Sequence, residues 1–175
     1  RWTFHMRKLS DVCPVWQSVR CRLCSKQPNS TPPPWTCQVG NCERCACLQG
    51  GGIYVDNGTA LLMPGTSVNL SAATDAGGGI FARLSSLYVY GDVSDNTAGD
   101  NGGGIHVDAS FGTSLAVVSG ATITGNSSAA YGGGISHEPP YGTLTINGGT
   151  VISDNTAVDG GGVAMGSYDE HLRLW

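Results

Sequence analysis

The chain has 175 residues and a formal net charge of −4, and this length is typical of a single domain. The amino-acid composition nevertheless differs sharply between two parts of the chain. Residues 1–49 hold all 7 cysteines and 7 of the 9 Lys and Arg, whereas residues 50–175 hold 26 of the 27 glycines and 11 of the 13 acids. An acidic region with so few cations cannot neutralise a phosphate backbone, so we expect no nucleic-acid partner. No apolar run approaches the ~20 residues that span a bilayer, so we expect no membrane insertion by this segment.

Residues 1–49 form a Cys-, Pro- and Arg-rich segment that we predict to be irregular or not native. Four of its cysteines have the spacing of a four-thiolate zinc site: Cys21, Cys24, Cys42 and Cys45. Disulfides are the alternative in an oxidising compartment, where 7 cysteines would leave one unpaired. A third hypothesis is an out-of-frame reading of a repeat gene, because Glu43-Arg44 read one base later encodes Asn or Ser where a preceding coil would have its asparagine. All three stay open, and we assign no metal ligand.

Residues 50–166 repeat at a nearly fixed period. Three glycines followed by Ile or Val occur five times, and the first glycines are Gly50, Gly77, Gly102, Gly132 and Gly160. Their separations are 27, 25, 30 and 28 positions. Repeats of this length indicate a solenoid. Glycine at a corner between strands accepts positive φ without a Cβ penalty, so we predict a structural role for all five.

Each repeat contains three short segments with strand composition. The first begins at Ile53, Ile80, Ile105, Ile135 or Val163. The second alternates, with predicted interior pairs Leu61 and Met63, Leu87 and Val89, Leu115 and Val117, and Leu144 and Ile146. The third runs into a turn that contains Asn96, Asn126 or Asn155, with Ala73 in the first repeat. Alternating β-branched residues bounded by Gly, Asn and Asp are typical of strands.

Three strands per repeat predict one turn of a parallel solenoid, with coils ~4.8 Å apart. Like residues then stack. We expect the Ile and Val residues after the glycines to form one interior aliphatic column. Stacked asparagine amides can hydrogen-bond between layers, so we predict a ladder through Asn96, Asn126 and Asn155, interrupted at Ala73.

The residues of these repeats carry a family resemblance. The run Gly148 to Val163, GGTVISDNTAVDGGGV, resembles the right-handed parallel β-helix repeats of bacterial surface proteins, as do ATITGNSSAAYGGGI and GDVSDNTAGDNGGGI. The pairing of Gly-Gly-x-Ile with x-x-x-Asn resembles the polymorphic outer-membrane protein adhesins, which are autotransporter passengers. The resemblance implies a cell-surface or secreted location, associated with the outer membrane. It also implies use as an adhesin, although some pectin-lyase-like relatives degrade polysaccharides.

The predicted fold is therefore an all-β, right-handed parallel β-helix of about four to five coils of ~27 residues, preceded by the irregular Cys-rich segment. Residues 167–175 are predicted to be a truncated terminus. Solenoids leave open sheet edges that native proteins cover. We therefore expect the chain to continue into further coils.

The sequence assigns no catalytic residue and no cofactor. Catalysis on this fold needs converging carboxylates, yet Asp95 and Asp154 are predicted to lie two coils apart, on the order of 10 Å. Alternation sends His106 and His137 to opposite faces of a strand, so they are not expected to stack. Isolated tyrosines such as Tyr131 are expected to be ordinary surface residues rather than binding platforms.

These expectations favour a non-catalytic scaffold segment of a bacterial cell-surface or secreted β-helix repeat protein. Its partners would be host-cell or glycan surface ligands. The first alternative is a fragment of a polysaccharide lyase or hydrolase of the pectin-lyase-like fold. A zinc-binding module fused to a solenoid is the second.

Overall fold

A computed structural model describes residues 19–20, 36–39, 42–43, 46–110, 112, 114–138, 141–166 and 171–174. The first strands are β1 (Val19–Arg20), β2 (Thr36–Val39), β3 (Cys42–Glu43), β4 (Ala46–Cys47), β5 (Ile53–Asp56), β6 (Thr59–Leu62), β7 (Ser67–Asn69), β8 (Ala72–Ala73), β9 (Ile80–Arg83), β10 (Ser86–Val89) and β11 (Asp92–Ser94). The others are β12 (Thr97–Ala98), β13 (Ile105–Asp108), β14 (Ser114–Ser119), β15 (Thr122–Thr124), β16 (Ser127–Ser128), β17 (Ile135–Glu138), β18 (Gly142–Asn147), β19 (Val151–Ser153), β20 (Val163–Met165) and β21 (His171–Leu174). Only the backbone of β1–β4 and β21 is described.

The strands form four sheets, and the coils that begin at Gly50, Gly77 and Gly102 each give one strand to every sheet. The first sheet has the order β1-β5-β9-β13-β17-β20, and the second has the order β2-β6-β10-β14-β18-β21. The third is β19-β15-β11-β7-β3, and the fourth is β16-β12-β8-β4. Pairing is parallel apart from β1 with β5, which is antiparallel. The predicted all-β parallel solenoid is confirmed, with about 4 turns.

The interior column of the first sheet is the one predicted from the glycine repeats. Ile53 pairs with Ile80, Ile80 with Ile105, Ile105 with Ile135, and Ile135 with Val163. The four isoleucines are at most 1% exposed, and Val163 packs against them half-buried. One residue type at one register position in successive coils thus produces a continuous core.

The second sheet corrects two of the predicted interior pairs. Leu87 pairs with Ala60 on one side and with Ala116 on the other, and Ala116 pairs with Leu144. The buried pairs are therefore Ala60 and Leu62, Leu87 and Val89, Ala116 and Val118, and Leu144 with the partly buried Ile146. The predicted pairs Leu61 with Met63 and Leu115 with Val117 are wrong and face outward. Both faces of β6 and β14 are apolar, so a one-residue slip was invisible in the pattern.

Asparagines stack along the boundary between the third and fourth sheets. The Nδ2 of Asn96 donates to the Oδ1 of Asn126 over 2.9 Å, and the Nδ2 of Asn126 donates to the Oδ1 of Asn155 over 2.9 Å. Each Nδ2 also donates to a main-chain carbonyl of the preceding coil, at Val68, Val93 and Ile123 respectively. Asn96 and Asn126 are fully buried.

The first repeat meets this ladder through Ser71 rather than Ala73, which corrects the predicted equivalence. Ala72 pairs with Thr97, so the residue beside Asn96 is Ser71. Its backbone N–H donates to the Asn96 Oδ1 over 2.9 Å. The ladder is therefore closed by a main-chain donor at this coil.

The first glycines of the five triplets all have positive φ: Gly50 61°, Gly77 69°, Gly102 64°, Gly132 64° and Gly160 63°. Side chains rarely adopt this region, whereas glycine does so freely. The second glycine has a different constraint. A Cβ on Gly103 would collide with the carbonyl oxygens of Ser127, later in the same coil, and of Gly133 in the next coil. Close stacking of the coils therefore requires glycine there.

Part of the predicted Cys-rich segment forms strands of the solenoid. β2, β3 and β4 pair in parallel with β6, β7 and β8. Glu43 pairs with Asn69, two positions before Ser71, so Glu43 does not occupy the asparagine position that the frame hypothesis gave it. The zinc, disulfide and frame alternatives otherwise concern side chains outside the described residues.

The segment 167–175, predicted to be a truncated terminus, contributes β21. Its residues His171–Leu174 pair in parallel with β18. Within the described residues, there is no helix with the length and hydropathy required to cross a membrane.

Candidate functional site

The outer face of the first sheet carries two columns of side chains. The residue after each interior Ile or Val points outward, and these residues are Tyr54, Phe81, His106, Ser136 and Ala164. Two positions further on stand Asp56, Arg83, Asp108 and Glu138. Strand alternation places both columns on one face, so aromatic rings lie beside charged groups.

The aromatic column is packed rather than open. The rings of Tyr54 and Phe81 are stacked with centroids 5.3 Å apart, and those of Phe81 and His106 with centroids 5.2 Å apart. Phe81 and His106 are each 2% exposed. Burial raises the pKa of Tyr54. Each stacked pair stabilises the fold by roughly 0.5–1.5 kcal/mol beyond its buried area, which accounts for these rings structurally.

Charge is balanced at one end of the outer face and unbalanced at the other. The Nη2 of Arg83 lies 2.7 Å from the Asp56 carboxylate, and its Nε donates to the same group over 3.3 Å. Arg83 is the sole Lys or Arg whose side chain the structure describes. Asp108 and Glu138 occupy the same column in the next two coils. Arg83 stands beside Asp108 and its charge acts on that carboxylate, whereas the described side chains give Glu138 no cationic partner.

Neutral donors hold Glu138 in place. The Nδ2 of Asn101 donates to its Oε1 over 3.1 Å, and the hydroxyl of Ser110 donates to its Oε2 over 3.3 Å. The backbone N–H of Ser110 donates to the Asp108 Oδ1 over 3.0 Å. Ser110 therefore donates a hydrogen bond to each of the two carboxylates, through its backbone N–H to Asp108 and through its hydroxyl to Glu138. Burial, with the charge of Asp108, raises the pKa of Glu138 against the lowering effect of the Ser110 and Asn101 hydrogen bonds.

His106 lies behind Glu138 and is uncharged at neutral pH. Its Nε2 is 3.8 Å from the Glu138 Oε1, too long for a hydrogen bond. Burial lowers the pKa of His106 to about 4, despite the opposing charges of Asp108, Asp100 and Asp75. Its Nδ1 has no hydrogen-bond partner. The histidine therefore supplies no positive charge to the carboxylates.

A cleft of about 360 Å³ opens beside this cluster. Its lining residues are Asn101, Tyr131, Ser136, His137, Glu138, Ala164, Met165 and Gly166. Ser136 and Ala164 stand at paired positions of β17 and β20, and Tyr131, in the loop before β17, is 52% exposed. The Asn101 Oδ1 accepts the Tyr131 N–H over 3.3 Å, which ties the two loops together. The cleft therefore combines an exposed aromatic ring with an anchored amide and carboxylate.

The predicted site residues fall elsewhere in the solenoid. The five first glycines form corners before the first sheet, and the asparagines line the interior. His106 pairs with Ser136, and His137 pairs with Val107, so the two histidines lie in different columns as predicted. His137 is 1% exposed, and neither ring nitrogen has a partner. Asp95 and Asp154 lie two coils apart with Gly125 between them, also as predicted.

Sequence reasoning missed the residues around the cleft. Asp108 and Glu138 each stand three positions after the isoleucine that follows the glycines, Ile105 and Ile135. Aligning the coils on those isoleucines would have placed the two carboxylates side by side. Asn101 and Tyr131 each directly precede the first glycine of a triplet, Gly102 and Gly132, so the same alignment would have placed them in one column.

No group of three or more His, Cys, Asp or Glu side chains within the described residues is placed to hold a metal ion. The zinc hypothesis for the four leader cysteines lies outside the described side chains. Comparison with known proteins found no matching family model, no matching curated protein and no matching solved structure. The resemblance to pectin-lyase-like and autotransporter repeats therefore remains a prediction, while the parallel solenoid stands on its own geometry.

Proposed function

We propose that this chain is a non-catalytic segment of a bacterial cell-surface or secreted β-helix repeat protein, and that it acts in adhesion by binding glycans. The observation that carries the proposal is the cleft beside Tyr131. Binding sites are typically concave, largely apolar and furnished with a few fixed polar groups. This cleft has that composition and lies on the outer surface of a rigid scaffold.

The scaffold part of the proposal rests on the structural role of the repeated residues. The buried isoleucines, the triplet glycines and the asparagines each contact the coils above and below. In solenoids such residues specify stacking. Ligand recognition is then left to outward side chains that differ between coils, and the cleft residues are of this kind.

The glycan part rests on the chemistry of the cleft. Tyr131 offers a flat apolar face, with a hydroxyl at its edge. The Nδ2 of Asn101 already donates to Glu138 and Asp100, so Asn101 offers the remaining lone pair of its amide oxygen. Glu138 offers carboxylate acceptors that can bind several sugar hydroxyls. Because Asn101 and Ser110 already hold Glu138, binding would cost little side-chain ordering.

The test is a glycan-array screen of the full chain, followed by titration of the best saccharide against Tyr131→Ala. We expect Tyr131→Ala to weaken binding by about tenfold or more, as for an exposed aromatic anchor. Tyr141→Ala is the matched control, because Tyr141 is similarly exposed at 58% and does not line the cleft. Absence of any saccharide ligand, or equal loss in both variants, would overturn the proposal.

A second candidate is a carbohydrate-active enzyme, and it is favoured by the pair Asp108 and Glu138. Both carboxylates bond Ser110 from adjacent coils, and burial raises the pKa of Glu138. Two neighbouring carboxyl groups, one of which has a raised pKa, are the arrangement used in acid–base glycoside cleavage. Release of new chain ends from a polysaccharide, lost in both Glu138→Gln and Asp108→Asn, would establish it. Binding without cleavage would favour the non-catalytic scaffold over the enzyme.

A further inference from the structure

The negative charge around the cleft indicates which class of sugar it would bind. Glu138 lines the cleft, and Asp108 and Asp100 both lie near enough for their charges to act on it. Its hydrogen-bond donors, Asn101 and Ser110, are neutral. Arg83 is already paired with Asp56. A ligand that brings its own positive charge would therefore meet an anion that the described side chains leave without a cationic partner.

The shape of the cleft places such a charge beside an aromatic ring. Tyr131 and Glu138 line the same cavity, and Asn101 bonds both residues. An ammonium group held by Glu138 would share this cavity with Tyr131, an exposed residue whose ring attracts cations. A uronic acid carboxylate in the same place would face Glu138 with Asp108 behind it, and like charges repel at such range.

We propose that the cleft selects amino sugars with a free ammonium group, which binds the Glu138 carboxylate while the sugar ring packs on Tyr131. Neutral sugars bind more weakly, and uronic acids are rejected. This selectivity rests on the proposed glycan binding and names its ligand class. It differs from what the resemblance to polyuronate-degrading enzymes would imply.

The test is isothermal titration of the full chain with three oligosaccharides of matched length: glucosamine, N-acetylglucosamine and galacturonate oligomers. The pH is one at which the amino groups are protonated. We expect the glucosamine oligomer to bind about tenfold to a hundredfold more tightly than its N-acetylated counterpart, the range for a hydrogen bond to a charged group. The galacturonate oligomer should not bind.

Glu138→Gln should remove the preference and leave weak binding of the N-acetylated oligomer, because the amide keeps the shape and loses the charge. Asp92→Asn is the matched control. It removes one carboxylate charge from β11 of the third sheet, where Asp92 is exposed. An equal loss of affinity in Asp92→Asn would show general attraction by net charge and overturn the selectivity. Circular dichroism and thermal melting confirm that each variant is folded.

The outcomes separate the two proposals. If the N-acetylated oligomer binds as tightly as the glucosamine oligomer, ammonium selection is wrong and glycan binding stands. Tighter binding of the galacturonate oligomer also overturns the selection alone. If no oligosaccharide binds here and the array finds none, both proposals fail.

Discussion

The two faces of the first sheet contrast sharply. Its inner column reads Ile, Ile, Ile, Ile, Val from coil to coil, whereas its outer column reads Tyr, Phe, His, Ser, Ala. The inner column is uniform because each residue must pack on the same residue of its neighbour. The outer column varies in residue type, although three of its rings, those of Tyr54, Phe81 and His106, also stack from coil to coil. In this molecule the repeated residues determine the fold, and the proposed recognition depends on residues that differ between coils.

Breaking the interior polar ladder should have the largest effect. Asn126→Ala removes the partner of the Asn96 Nδ2 and N–H, and frees the Val93 carbonyl. Each buried group left unpaired costs about 1–3 kcal/mol, so we expect a loss of about 4 kcal/mol in the free energy of unfolding. Chemical denaturation measures it.

Asn147→Ala is the control for the ladder, because Asn147 is half-buried at the end of β18 and its side chain lies outside the ladder. It should cost well under 1 kcal/mol, as surface substitutions do (usually about 0.5 kcal/mol or less). A similar loss in both variants would mean that the ladder adds nothing special.

The corrected register of the second sheet gives the next prediction. Leu87→Ala should destabilise the fold by about 3 kcal/mol, because Leu87 is 1% exposed and its loss opens a cavity. Leu61→Ala, at an outward half-buried position, should cost about 1 kcal/mol or less. Urea denaturation of the two variants compares them, and a larger loss at Leu61 would restore the rejected pairing.

The buried His106 on the outer face should make the stability of the fold depend on pH. The folded pKa of His106 is about 4 against an ordinary 6.5, so below pH 6.5 the unfolded chain takes up a proton that the folded chain refuses. Stability attributable to His106 is full above pH 6.5 and is lost as pH falls toward 4. The loss is on the order of 3 kcal/mol. Thermal melts of wild type and His106→Phe isolate it, since phenylalanine keeps the stack without titrating.

Glu138 changes the stability with pH in the opposite direction to His106, and it is present in both wild type and His106→Phe. Its raised pKa removes stability as pH rises through the region above its ordinary value of 4.5. Parallel pH profiles of wild type and His106→Phe would contradict the assignment to His106.

The smallest effect should come from a strained backbone position. Leu70 has a φ of 50°, at the register position that Asp95, Gly125 and Asp154 also hold with positive φ. Left-handed conformations cost a side chain about 1–2 kcal/mol. Leu70 is 45% exposed, so Leu70→Gly should stabilise the fold by about 1 kcal/mol. A melting temperature that falls would contradict this.

Sequence alone could locate residues where one type recurs at one spacing. The isoleucine column and the ladder from Asn96 to Asn155 follow from identical residues in successive coils. Prediction failed at Leu61 and Leu115, where apolar residues occupy both faces of a strand. It also failed at Ser71, because the first repeat lacks the asparagine that marks the register. Alignment on the triplets would have placed Asn101 beside Tyr131, but the hydrogen bond of Asn101 to Glu138 joins different parts of two coils and forms only after folding.

The ladder has a mechanical consequence. Each of Asn96 and Asn126 binds a carbonyl in the coil before it and an amide in the coil after it, so one side chain fastens three consecutive layers. A middle layer cannot detach without breaking bonds on both sides. Under tension along its axis the solenoid should therefore behave as a stiff rod that yields by peeling from its ends, one layer at a time.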